Sequence, residues 1–305
     1  MWVSYDFRKT GLPESLLANP EARIVHLAKR IANVRFREFP EADRRPGNGP
    51  RIGRRHMSMK RNYKLTVSYD GSRYYGWEHQ KSTPLTIQGK LEAVLTEMAG
   101  TAADVTGAGR TDAGVHAKAM TASVQLDTEL SEEEIRDYLN RYLPDDIGVT
   151  DVRIAAERFH ARYSAVGKTY CYSCWVGENK PVFERKYLLV LEKTPDLARM
   201  QEAAALLTGT HDYKSFCGNP RMKKSTVRTV DSIEIRKQGP YLRFYYHGNG
   251  FLQHMVRIMT GTLLEVGFGK RAPGEIPEIL AAADRTAAGY TAPAQGLCLI
   301  SVDYN

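Results

Sequence analysis

Two hydrophobic periods alternate along most of this chain, and they predict strands interleaved with helices. In residues 121–126, polar Thr121, Ser123 and Gln125 alternate with apolar Ala122, Val124 and Leu126, the period of a half-buried strand. Residues 63–71, YKLTVSYDG, read as a strand ended by an Asp-Gly turn. From Leu85 to Met98 the period becomes helical: Ile87, Leu91, Val94, Leu95 and Met98 form the apolar face, and Gly100 closes the helix. Ser131 with Glu134 makes a capping box for a helix carrying Ile135, Tyr138 and Leu139. Lys168 to Val176 is an aromatic strand. Thr194-Pro195 supplies a cap and a first-turn proline for a helix with Leu197, Met200, Ala204 and Leu207, ending at Gly209. Strands at Val230–Arg236 and Tyr241–His247, a helix from Phe251 to Val266 and a strand at Leu297–Tyr304 complete the series.

This pattern contains an internal echo. LTVSYDG and LRFYYHG are each a strand with aromatic ends and a glycine turn, followed by an apolar helix stopped by glycine. The expectation is an α+β fold of two related halves, residues 59–165 and 166–305, each a sheet with helices on one face and with a substrate groove between them. Residues 1–58 stand apart. Glu21 to Phe36 predicts an amphipathic helix, and the Pro-, Gly- and Arg-rich run after it reads as a linker or basic arm, with Met57 or Met59 as an alternative translation start.

Composition narrows the class. At 42% hydrophobic over 305 residues the chain is long enough for two modest cores. No stretch approaches the roughly 18 apolar residues of a membrane span, and the expected location is the cytoplasm, with no membrane partner. Four cysteines are too few for a disulfide scaffold, and Cys171 and Cys174 lie in a predicted strand without a second pair to complete a zinc site. His116, His211 and His254 have no ligand spacing either, and packing or RNA contact accounts for them. The net charge of +8 suggests nucleic acid, but residues 1–61 hold 14 basic and 6 acidic side chains while 62–305 hold 29 of each. RNA binding by the main body therefore depends on local clusters: Arg158, Arg162 and Lys168, and the acid-free run of Arg221, Lys223, Lys224 and Arg228.

Candidate chemistry centres on residues 107–117, GAGRTDAGVHA. A dinucleotide fingerprint needs a third glycine where Asp112 stands and a helix after it, and a triphosphate loop needs a lysine and a hydroxyl where Val115 and His116 stand. Neither fits, and the loop leads into a strand. If Arg110 and Asp112 are extended, their side chains point the same way and the guanidinium can lie beside the carboxylate, which suits a nucleophile. A glycosidase would need a second carboxyl group, available only through folding from Asp104 or Asp127. The bland alternative is an Asx-turn in which Asp112 binds its own loop.

GAGRTDAGVHA resembles the signature of the tRNA pseudouridine synthase A (TruA) family. YDGSRYYGWEHQ, TIQGKLE, FHARYSAVGKTYCY, GNGFLQHMVRIMTGTLLEVGFGK and APAQGLCLISVDY resemble further family blocks in family order, over about residues 59–305. The resemblance implies two ferredoxin-like halves joined in an extended, mainly antiparallel sheet with a central RNA-binding cleft. It implies an isomerase, acting without cofactor or metal, that turns uridine into pseudouridine in the tRNA anticodon stem-loop, at positions 38, 39 and 40, as a homodimer with each tRNA spanning both subunits. Asp112 then matches the nucleophile, Arg110 the residue that helps draw uridine from the stack, and Tyr170 the aromatic that packs on the uracil. Arg257 matches the arginine that pairs with the catalytic carboxylate, and Leu297 the apolar wall of the uracil pocket. Lys168, beside the site, is the expected backbone contact. Glu78-His79 departs from the usual Gln-led pair, as do Asn249 and Gln253 from commoner residues, which puts the choice of uridine in question more than the chemistry. Two other classes compete with this reading. An RNA-binding module would keep the fold without turnover, and a hydrolase would release free uracil.

Overall fold

The computed structural model describes residues 60–305; the arm at 1–58, its helix at Glu21 to Phe36, and both Met57 and Met59 lie outside the described residues. In chain order the elements are β1 (Arg61–Tyr69), α1 (Ile87–Ala99), β2 (Val105–Gly107), β3 (His116–Leu126), α2 (Glu132–Tyr142), β4 (Ile147–Ile154), β5 (Ala165–Trp175) and β6 (Leu189–Val190). They continue with α3 (Leu197–Leu206), β7 (Gly209–Asp212), β8 (Val227–Gln238), β9 (Tyr241–Gly248), α4 (Met255–Gly267), α5 (Ile276–Ala282) and β10 (Leu297–Tyr304).

Among the described residues one ten-stranded sheet runs in the order β4-β1-β3-β10-β5-β9-β8-β7, with β2 on β3 and β6 on β5. It is antiparallel except where β10 meets β3, at Cys298–His116 and Leu299–Ala117, and where β6 meets β5. The mixed α+β architecture with a large, mainly antiparallel sheet matches the fold expected from the sequence. β10, furthest along the described chain, enters the middle of the sheet between β3 and β5. Because β3 and β10 run parallel, the loop before β3 and the 3-10 turn Ala294–Gly296 before β10 arrive at the same end. That convergence places the site.

Alternation explains most of the packing. In β9, Leu242, Phe244 and Tyr246 are buried while the residues between them are partly open, and Tyr63, Leu65, Val67 and Tyr69 do the same in β1. Against the buried face of β9 lies α4, which is buried almost all round, and the Tyr246 hydroxyl meets Thr260 Oγ1 at 2.8 Å. The helix caps follow their residue chemistry. Thr86 caps α1 and left-handed Gly100 ends it, and Ser131 with Glu134 forms the expected capping box on α2.

Three expectations need correction. Thr121 and Ser123 are buried, because residues 156–164 cover that side of β3; the Ala161 amide donates to Ser123 Oγ at 3.2 Å. The cap of α3 is Asp196, whose carboxylate accepts from the Arg199 amide at 3.1 Å, so Thr194-Pro195 lies outside the helix, where Pro195 packs over Gly267. Helix α4 starts at Met255, not Phe251, because His254 turns into the left-handed region at φ 60° and breaks the helical run. The β4 strand, the short β2, β6 and β7, and helix α5 were not foreseen.

Truncating Phe244, fully buried, to alanine is expected to destabilise the fold by about 3–5 kcal/mol. Tyr246→Phe should cost only about 1 kcal/mol, because it removes one net hydrogen bond while Thr260 keeps its bond to the Val256 carbonyl. Urea unfolding of both variants checks the order, and equal losses would contradict this packing.

Candidate active site

The loop before β3 is fastened at many points. The Trp77 amide donates to the Thr111 carbonyl at 3.1 Å, the Gly114 amide to the Tyr74 carbonyl at 3.3 Å, and the Tyr69 hydroxyl meets Thr111 Oγ1 at 2.8 Å inside the core. Two of its glycines have clear causes. Gly107 lies under the Trp77 ring, where a Cβ would come within 2.4 Å, and Gly114 sits at φ 78° in a turn closed by the Val115 amide on the Asp112 carbonyl. Flexible residues thus make a tightly held loop.

Asp112 projects from this loop toward the first turn of α4. Arg257 donates from Nη1 to Asp112 Oδ2 at 3.0 Å, and its Nε donates to the Ala292 carbonyl at 2.7 Å. Their side chains are 15% and 21% exposed, so the pair is largely out of water, and the second anchor leaves the guanidinium little freedom. His254 Nε2 lies 3.5 Å from the other oxygen, Oδ1. The carboxylate is therefore engaged from α4 rather than turned back on its own loop, which disposes of the Asx-turn alternative.

Arg110 is not the partner of Asp112. Its guanidinium pairs with Glu78 at 2.5 Å in an exposed position at the cavity wall. A spacing of two residues does not bring these side chains together: Arg110 turns to Glu78 and Asp112 to Arg257. Glu78 and Asp112 are the two carboxylates on the cavity wall, and Glu78 faces Arg110 instead of presenting a second acid to Asp112; Asp104 lines a neighbouring groove. The two-carboxylate geometry of a glycosidase is not formed here.

The cavity above Asp112 measures about 550 Å³, within the roughly 300–1,000 Å³ range of small-ligand pockets. Tyr170 and Leu297, on β5 and β10, close its floor; the Tyr170 ring meets Phe251 edge-on at 5.3 Å. Burial, and after it the negative charge of Asp112, pushes the Tyr170 hydroxyl well above its ordinary value, so it stays a neutral phenol at pH 7. Such a ring offers an apolar packing surface and a neutral hydroxyl.

Four cations share the wall: Arg110, Arg162, Lys168 and Arg228. The Lys168 ammonium donates to the Ala108 carbonyl at 2.8 Å, directly behind Gly109. Burial, then the positive charges of Arg162 and Arg228, push its amine down to about 8. Arg221, Lys223 and Lys224 are exposed and outside the cavity lining, so the second basic cluster contributes only Arg228 to the wall. A cavity with this lining can hold a flat apolar ring against Tyr170 and Leu297, keep an anionic chain beside its cations, and present one carboxylate between them.

Asp112, Arg110, Tyr170, Leu297, Lys168 and Arg162 thus line one cavity, with Arg257 paired to Asp112, whereas Arg158, His116 and His211 lie outside its lining. His254, Phe251 and Arg228 join them. The sequence offers only packing or RNA contact for His254, and its approach to Asp112 follows from a left-handed turn that no local pattern marks.

A family model described as tRNA pseudouridine synthase matches residues 65–164 and 203–305, and so takes in both Asp112 and Arg257. A tRNA pseudouridine synthase A 2 of Bacillus anthracis is 44% identical over 243 residues, covering 80% of this chain and 99% of the relative. A tRNA pseudouridine synthase A of Geobacillus kaustophilus is 43% identical over 247 residues, covering 81% and 95%. Among solved structures, a Cbf5-Nop10-Gar1 complex aligns at TM-score 0.33 and 12% identity over 78% of this chain and 48% of that chain, a likeness too loose to add weight.

The Lys168 amine is expected to lose its proton near pH 8, more than two units below an exposed lysine, so that its charge is present at pH 7 and absent by pH 10. A carbon-13 NMR titration of labelled lysines, with Lys168→Arg to assign the resonance, reads it. An inflection above pH 10 would mean that the amine is hydrated and not held behind the loop.

Proposed function

This chain belongs to the tRNA pseudouridine synthase family, and from that premise we propose that it isomerises uridine to pseudouridine in the anticodon stem-loop of tRNA, at positions 38, 39 and 40, with Asp112 as nucleophile. The observation that carries the reading is the Asp112 carboxylate, gripped by Arg257 at a cation-lined cavity whose lining includes Tyr170 and Leu297.

The steps follow from that arrangement. A target uridine leaves the RNA stack at a cost of a few kcal/mol, and Arg110 offsets part of this by stacking or phosphate contact once it parts from Glu78. Asp112 adds to the extruded nucleotide and the bond between C1′ and N1 breaks. The uracil turns against Tyr170 and Leu297, and C5 bonds to C1′. The C5 proton is lost, N1 gains one, and Asp112 is released, so the chain keeps its mass. As a neutral phenol, Tyr170 packs on the uracil and relays a proton only if a further acceptor takes it on. Lys168, Arg162 and Arg228 hold phosphates of the bound strand. A homodimer in which each tRNA spans both subunits belongs to the same reading and rests on the family resemblance, as does a division of residues 59–165 and 166–305 into two halves about the cleft.

Tritium release from tRNA labelled at uracil C5 tests the reaction. Asp112→Asn is expected to abolish release while keeping tRNA affinity within a few-fold, because binding is spread over many cations. Release that persists in the variant would remove Asp112 from the chemistry, and free uracil in the products would replace the isomerase by a hydrolase. Binding by the wild type without release would leave an RNA-binding module.

Exchanging Arg221, Lys223 and Lys224 together for glutamine should weaken tRNA binding and reduce its salt slope by about 1–3. An unchanged slope would make that cluster a solvated face.

A further inference from the structure

His254 has no part in the scheme above, yet its backbone is one of two non-glycine positions at positive φ among the described residues. It holds φ 60° immediately before α4, in the left-handed region that costs an ordinary side chain about 1–3 kcal/mol where the surroundings impose it. The surroundings do impose it. The Gly218 amide donates to the Gln253 carbonyl at 2.8 Å, and the ring lies so close over Gly218 that a Cβ there would fall 2.4 Å from Nδ1, 2.8 Å from Cγ and 3.1 Å from Cβ of the histidine. The strained turn and the bare glycine together aim Nε2 at Asp112 Oδ1, 3.5 Å away, while Arg257 holds Oδ2 at 3.0 Å.

The geometry points to His254 as a positioning residue: it restrains the second oxygen of Asp112, so that the carboxylate is held at both ends and keeps one rotation about its Cβ–Cγ bond. This rests on the reading of Asp112 as nucleophile. The carboxylate is planar, so turning about that bond moves both oxygens together; the single bond from Arg257 to Oδ2 resists the turn softly, a second contact at Oδ1 stiffens it, and displacement of a reacting atom by about 1 Å can cost a hundredfold in rate. Gly218 belongs to the same device although it is not itself one of the residues that line the cavity. It makes room for the ring.

Three variants separate this role from a merely structural one, with kcat and KM read by tritium release and folding read by thermal unfolding. His254→Asn accepts the left-handed backbone but stops short of Asp112; it is expected to keep Tm within about 2 °C and KM within twofold while kcat falls ten- to a hundredfold. His254→Gln returns an N–H donor at a reach close to that of Nε2 and should restore kcat to within about threefold of wild type. Gly218→Ala displaces the ring without altering it and should lower kcat as His254→Asn does. Wild-type kcat in both His254→Asn and Gly218→Ala would overturn the proposal, as would losses confined to KM or tracking Tm. If the wild type itself releases no tritium, the proposed function fails and not this inference. A crystal structure of His254→Asn then decides it: a rotated Asp112 carboxylate supports the positioning role, and an unmoved one refutes it.

Discussion

The ion pair between Asp112 and Arg257 joins parts of the chain 145 residues apart, and the site exists only where that pair closes. Two charges withdrawn this far from water are costly unless each finds well-placed partners. Arg257 satisfies this by splitting its guanidinium between the carboxylate and the Ala292 carbonyl, and the Ala292 amide in turn donates to the Arg257 carbonyl at 3.1 Å. That exchange pins residues 292–293 between α4 and β5, where the Pro293 carbonyl also accepts from the Tyr172 hydroxyl. The chain then turns through Ala294–Gly296 into β10 and delivers Leu297 to the cavity. One electrostatic requirement thus places Asp112, its partner and an apolar wall.

Much of this was legible in the residues. The capping box at Ser131, the left-handed stop at Gly100 and the alternation in β9 are local signals, and local physics was enough to place them. Family-like blocks in order pointed to Asp112, Tyr170, Arg257 and Leu297, and the fold brings Asp112, Tyr170 and Leu297 to one cavity with Arg257 bonded to Asp112. The resemblance supplied the roles. The residues alone had left Asp112 balanced between a site and a turn.

What could not be read depended on contacts made through folding. Folding brings Glu78 to Arg110 and Arg257 to Asp112, whereas sequence spacing alone pairs Arg110 with Asp112. Phe251 to His254 hold no glycine or proline, so nothing local announces that His254 leaves the helix; Gly218, thirty-six positions earlier, makes the room for its ring. The buried Thr121 and Ser123 likewise took their cover from residues 156–164, and Ser123 receives an amide from there. In each case a distant segment outweighed the local pattern.

The central position of β10 has a consequence for how the molecule comes into being. On the ribosome this strand is made after every other described strand, so until it emerges β3 and β5 present unpaired edges to each other across an empty slot. A nascent chain that stops short of residue 297 has its Asp112 loop and its helix α4 but lacks the strand that seats between β3 and β5. Such chains carry two open edges of the kind that invites pairing with other chains, and they have no finished cavity in which to act on RNA. Arrival of β10 and completion of the pocket are therefore the same event, and copies that lack this strand are marked by exposed strand edges rather than by stray activity.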